Sequence, residues 1–213
     1  MGELLLVASA SLLLGMRHAT DADHVLAIAT IVSKERSLRG AARIGAIWGM
    51  GHGVTIALVG GSVMAFRLTL SPRIELSLEF AVALMLILLG TLTLLQRKIA
   101  PQPVTAMRPF VVGIVHGLAG SAAASVLVLS TIADPLLGVV YLLVFGLGTL
   151  IGMGMMTSAI AVPSLITRDR VHTPHWIRGA AGALTLAFGC YLAFRIGVVD
   201  GLLTSAALSP MHD

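Results

Sequence analysis

Residues Leu4–Val32 read LLLVASASLLLGMRHATDADHVLAIATIV, an apolar run interrupted by Arg17, His18, Asp21, Asp23 and His24. Everything else in it is apolar, small or a lone hydroxyl, so the segment reads as a membrane-spanning helix. Ionisable groups in hydrocarbon are costly, about 2.5–3.5 kcal/mol for Arg or Asp even on lenient insertion scales, so they are rarely placed there without a task. Imidazole and carboxylate together are ligands for first-row transition metals. The run therefore points to a divalent cation held inside a membrane.

The rest of the chain supports that setting. Of its 213 residues 57% are hydrophobic and only 11% charged, and mean hydropathy is +0.96. A soluble domain of this size would need charge over its whole surface. Apolar runs long enough to cross a bilayer predict an all-α integral membrane protein of six transmembrane helices, approximately Leu4–Val32, Ile44–Phe66, Leu76–Leu95, Pro109–Ile132, Leu136–Val162 and Ile177–Leu203. Basic residues concentrate in the odd loops: Lys34, Arg36, Arg39 and Arg43, then Arg97, Lys98 and Arg108, then Arg168, Arg170 and Arg178. The second loop has Arg67 and Arg73 offset by Glu75 and Glu79, and the fourth has none. Odd loops are then cytoplasmic and both termini outside. The net charge of +4 is explained by these loops, so nucleic acid is not an expected partner. Cys190, the single cysteine, lies in an apolar run and can form no intramolecular disulfide. Met1-Gly2-Glu3 has no basic n-region, so the first span is not expected to be a cleavable signal peptide.

The chain reads as one domain, 1–213, with a faint repeat of halves 1–100 and 101–213. Gly15-x-x-His18 and Gly113-x-x-His116 occupy similar places, and Leu84–Arg97 and Leu184–Arg195 share a leucine-rich pattern with a terminal arginine. Three spans and three spans would make the halves inverted, since an odd number of crossings reverses orientation.

The first span holds 29 residues, about 43 Å of helix, so it is tilted, protrudes or breaks. Gly15 and the small polar residues after it are the expected place for a break; unwound backbone at membrane depth is tolerated where it lines a cavity. On an unbroken helix His18, Asp21 and His24 spread over about 120° of one face, while Asp23 points away. Regular geometry thus favours Asp21 as the carboxylate beside the histidines. Asp23 would need a distorted helix, or would orient an imidazole from behind. Arg17, four residues before Asp21, is placed to neutralise it.

Two further imidazoles lie at compatible depth. Counted from the cytoplasmic ends of their spans, His52, His116, His24 and His18 lie about 12, 10, 12 and 21 Å deep. Glycines beside His52 and His116 permit close helix approach. A single histidine in a membrane helix is more often an interhelical hydrogen-bond partner than a ligand, and that alternative is strongest for His116. An ion-pair knot between Arg17 and the aspartates would leave one carboxylate and two imidazoles without a role. Met50 and the Gly152–Met156 patch read as packing. His172, His175 and His212 read as solvated.

Arg17-His18-Ala19-Thr20-Asp21-Ala22-Asp23-His24 resembles the signature of the nickel/cobalt transporter family, a histidine, four residues, then Asp-His, here His18, Asp23 and His24. Trp48-Gly49-Met50-Gly51-His52 is similar to that family's second motif. Longer members carry more spans and a later acidic motif. Here His116-Gly117-Leu118-Ala119-Gly120-Ser121 stands in that region, so the chain resembles the short, six-span, urease-accessory-type branch. The resemblance implies a permease in a prokaryotic plasma membrane, not an enzyme, with Ni²⁺ or Co²⁺ as transported ion and no prosthetic group. Its expected metal residues are His18, Asp21, Asp23, His24, His52 and His116. The expected partners are the ion, the lipid bilayer, and a metallochaperone or further copies of the chain. Metal efflux, a metal-binding membrane subunit and a membrane metalloenzyme are the alternatives.

Overall fold

The Leu4–Val32 run is two helices. In the computed structural model, which describes residues 1–32, 35, 37–66, 71–95, 106–118, 132, 134–166 and 175–204 (side chains of 163–166 and 175 excepted), α1 covers Gly2–His18 and α2 covers Ala22–Val32. Between them the chain makes a tight turn. The Thr20 amide donates to the Arg17 carbonyl at 2.8 Å, the Asp21 amide to His18 at 3.1 Å, and the Thr20 hydroxyl to Arg17 at 2.6 Å. These bonds satisfy carbonyls that a helix end would leave bare in the membrane. The break lies past Gly15, which stays helical.

The remaining helices are α3 (Leu38–Phe66), α4 (Pro72–Leu95), α5 (Met107–Leu118), α6 (Pro135–Ile166) and α7 (His175–Phe194). Their starts are written locally. Ser37 caps α3 through the Gly40 amide at 2.9 Å. Asp134 caps α6 through the Leu136 amide at 2.8 Å, with Pro135 in the first turn, where a missing N–H costs nothing. Helix α7 widens into a π-turn at Arg195–Val199 and stops at Gly201, whose φ of 83° suits glycine.

Helix α3 packs against α6 and α5, α1 against α6, and α4 against α7. The short α2 threads the middle, touching α3, α4, α6 and α7. Its Ala27, Ile28, Ile31 and Val32 are buried, and the Thr185 hydroxyl of α7 reaches the Leu26 carbonyl at 3.0 Å. Surrounded on all sides, α2 has no use for a polar face, which is why VLAIATIV is almost uniformly apolar. The outside is equally apolar: Leu5, Leu13, Leu58, Leu88, Leu143 and Leu184 are all exposed. An apolar exterior around an interior holding histidines is the arrangement lipid demands.

Among the described residues four helices are long and apolar enough to cross a membrane: Leu38–Phe66, Pro72–Leu95, Pro135–Val162 and Trp176–Val199. Three expectations change. The first span becomes two pieces because the turn at Ala19–Asp21 divides it. The second span starts earlier, at Leu38, and the sixth departs from α-helical form at Arg195. Of the expected fourth span, α5 accounts for the part up to Leu118, and most of the remainder, towards Ile132, lies outside the described residues.

Candidate metal centre

The turn after α1 brings its histidine onto the α3 histidine. The Nε2 atoms of His18 and His52 face each other at 3.1 Å. The His24 ring lies 4.5 Å from His18, 5.2 Å from His52 and 4.3 Å from His116 between centroids. Four imidazoles from α1, α2, α3 and α5 thus form one cluster. His24, His52 and His116 are at most 1% exposed. Within it, one ligand atom each from His18, His24 and His52 lie within 4.8 Å of one another, as do those of Asp23, His24 and His116.

Two glycines on one seam make this convergence possible. A Cβ at Gly113 would strike the Trp48 carbonyl, and one at Gly51 would strike the Phe110 carbonyl. Only bare backbone lets α3 and α5 come close enough for His52 and His116 to share a site.

Carboxylates fix the ring tautomers. An ionised carboxylate only accepts, so the His18 Nδ1–H donates to Asp21 Oδ2 at 2.8 Å and the His24 Nδ1–H to Asp23 Oδ1 at 3.0 Å. Both Nε2 atoms are left as lone pairs, and that of His24 is buried with no hydrogen-bond partner. His116 donates from Nε2 to the second oxygen, Asp23 Oδ2, at 2.9 Å. Asp23 thereby orients two imidazoles at once. Carboxylates behind histidines in this way set ring orientation and raise ligand basicity at metal sites.

The spacing suits an ion. Two nitrogens bound at about 2.0–2.1 Å lie about 2.9 Å apart at a right angle and about 3.4 Å apart at the tetrahedral angle. The His18–His52 separation falls between these values. The α1 C-terminus, ending at His18, also turns the negative end of its dipole towards the cluster.

All six expected residues lie at or beside the cluster, in different roles. His18, His24 and His52 present nitrogens inward, and His116 borders them. Asp21, 51% exposed at the side chain, sits behind His18 and is absent from both groups of converging ligand atoms. It bonds to His18 and makes no ion pair with Arg17 among the described residues. The unbroken-helix argument for Asp21 fails because the helix turns there. His172 and His212 lie outside the described residues. Sequence reasoning missed the aromatic walls: Trp48 lies 5.4 Å from His24 and 5.7 Å from His116, and Phe145 lies 5.7 Å from His18. Their shared setting, Trp48-Gly49-Met50-Gly51 and Phe145-Gly146-Leu147-Gly148, was the available signal.

Fold and site define a helical membrane protein with a histidine–carboxylate cluster in its interior. The chain is 30% identical to the urease accessory protein UreH of Bacillus sp. (strain TB-90), covering 94% of this chain and 96% of that protein. It belongs to the UreH family. It is also 27% identical to the chloroplast protein FOR GROWTH AND FERTILITY 1 of Arabidopsis thaliana, over 70% of this chain and 47% of the plant protein. No protein-family model and no solved structure matches.

Proposed function

We propose that the chain is a permease for a divalent transition-metal cation, Ni²⁺ first and Co²⁺ second, which passes through the imidazole cluster. The observation that carries this reading is the pair of carboxylate-oriented histidines, His18 and His24, whose Nε2 lone pairs point into one buried space with His52. A core histidine kept for packing would use both nitrogens on protein partners. Membership in the family of a urease accessory protein supports a role in nickel handling.

The hydrated ion sheds water and takes imidazole nitrogens in its place. Neutral imidazole suits late first-row metals, and the Irving–Williams order sets Ni²⁺ above Co²⁺. That order favours Cu²⁺ still more, so ligand geometry and metal supply complete the selectivity. His18, His24 and His52 bind; Asp23 holds His24 and His116; Asp21 holds His18. Drawing a 2+ ion inward through 100 mV gains about 4.6 kcal/mol, enough for uptake driven by the membrane potential alone.

Purified protein in proteoliposomes, with a Ni²⁺-quenched dye inside and an imposed potential, tests the reading. Flux should follow the potential and be lost in His24→Ala. Binding without flux would make the protein a metal-binding subunit. Neither binding nor flux would end the proposal.

A further inference from the structure

Several close contacts between helices come in matched pairs, although that of Gly49 with Leu150 has no counterpart at Gly146. A Cβ at Gly15 of α1 would strike the Phe145 carbonyl of α6 and lie 2.8 Å from the Thr149 amide; one at Gly148 would strike the Leu12 carbonyl. On the other side a Cβ at Gly113 of α5 would strike the Trp48 carbonyl of α3 and lie 3.0 Å from the His52 amide; one at Gly51 would strike the Phe110 carbonyl. Leu12 precedes Gly15 as Phe110 precedes Gly113, and Phe145 precedes Gly148 as Trp48 precedes Gly51. Between α4 and α7, Gly90 meets Gly182 and Leu186, while Gly189 meets Ala83 and Ile87 at the same spacings. Between α3 and α6, Gly45 meets Thr157 and Gly60 meets Leu142.

Apart from that of Gly49, every one of these contacts has its mate when α1 is exchanged with α5, α3 with α6 and α4 with α7. Gly90 lies against Gly182–Leu186 and Gly189 against Ala83–Ile87, so later positions on α7 meet earlier ones on α4. The two helices run antiparallel, and an axis that swaps them lies across them, in the membrane plane.

The same exchange carries His18 onto His116 and Phe145 onto Trp48. Each aromatic ring lies 5.7 Å from its own histidine. The two sides nevertheless differ in exposure. Both rings are buried, Trp48 at 1% and Phe145 at 4%, but His116 is 1% exposed whereas the side chains of His18 and Asp21 are 9% and 51% exposed. A half-exposed carboxylate at the turn of a broken membrane helix needs water, so the Asp21 side is the wet one.

We propose, building on the permease reading, that the chain is two inverted halves and that Trp48 and Phe145 are mated gates on opposite membrane faces of the cluster. In this structure both rings are buried and the cluster is reached past His18 and Asp21; rocking one half on the other along the glycine seams closes that side and opens the Trp48 side. Three of the four imidazoles lie in the first half and one in the second, with Thr149 standing as the mate of His52, so the two ends hold the ion unequally.

The test replaces Cys190 by Ser and introduces Thr20→Cys or Leu118→Cys, mated positions beside the two gates. A membrane-impermeant maleimide is added to either face of oriented proteoliposomes, without metal. Thr20→Cys should react from one face, and Leu118→Cys about tenfold more slowly and from the other. Adding Trp48→Ala should raise the Leu118→Cys rate about tenfold, while Phe145→Ala leaves it unchanged. If Trp48→Ala does not fold, Trp48→Phe, which installs the ring of the opposite gate, should raise it about threefold. Labelling of both cysteines from one face, or a Leu118→Cys rate that Trp48 substitution leaves unchanged, would overturn the proposal. Because no metal is present, a failed Ni²⁺ flux with the labelling pattern intact would overturn the cargo alone.

Discussion

Asp23→Asn isolates the clearest electrostatic device of the cluster. Asp23 accepts from His24 at 3.0 Å and from His116 at 2.9 Å, one bond on each oxygen. Asparagine has the same shape but only one acceptor; its NH₂ faces an imidazole N–H on the other side. One of the two rings must then flip or move its proton. If His24 does so, its Nε2 carries a proton and ceases to be a ligand. Losing the partner behind a ligating histidine costs 10–100-fold in metal affinity in other sites, about 1.4–2.7 kcal/mol. With two rings depending on one carboxylate, the expected loss is at the upper end, about 100-fold. Asp21→Asn touches only His18 from an exposed position and should cost about tenfold or less. Trp48, 5.4 Å from His24, is a built-in reporter: Ni²⁺ bound there should quench its fluorescence, read in a Trp176→Phe background because these are the two tryptophans. An Asp23→Asn affinity within threefold of the parent, or a larger loss in Asp21→Asn, would refute the reasoning.

His18→Ala, His24→Ala and His52→Ala should each nearly abolish Ni²⁺ transport while the protein elutes as the parent does, with His116→Ala milder; normal uptake in either of the first two would remove that residue from the site. Gly113→Ala drives a methyl into the Trp48 carbonyl and should destabilise the α3–α5 seam by about 1–3 kcal/mol, seen as a lower melting temperature in detergent and weaker Ni²⁺ binding. Imidazole must be neutral to bind metal, so affinity should fall as pH is lowered from 8 to 4. With several histidines bound the fall should be steeper than one proton allows, and a flat profile would mean oxygen ligands hold the ion.

The all-helical membrane character was legible because it depends on composition and period alone. The same holds for the candidate residues, since five ionisable groups in Leu4–Val32 cannot be reconciled with lipid contact. What escaped was set by tertiary geometry. A turn of three residues at Ala19–Asp21 puts Asp21 behind His18 and Asp23 behind His24, and helical spacing cannot describe a helix that stops. Asp23 is tied to His116 across 93 positions, a partnership no local pattern reveals. The aromatic walls were hidden for a different reason: Phe145 and Trp48 look like ordinary apolar residues until the glycine seams place them over histidines.

The central claim is that imidazoles of this cluster hold the cation, and X-ray absorption at the nickel K-edge of Ni²⁺-loaded protein tests it most directly. The account predicts about three imidazole nitrogens at about 2.0–2.1 Å, with the outer-shell scattering of rigid rings reduced in His24→Ala. An all-oxygen shell, or a spectrum unchanged by loss of His24, would contradict it.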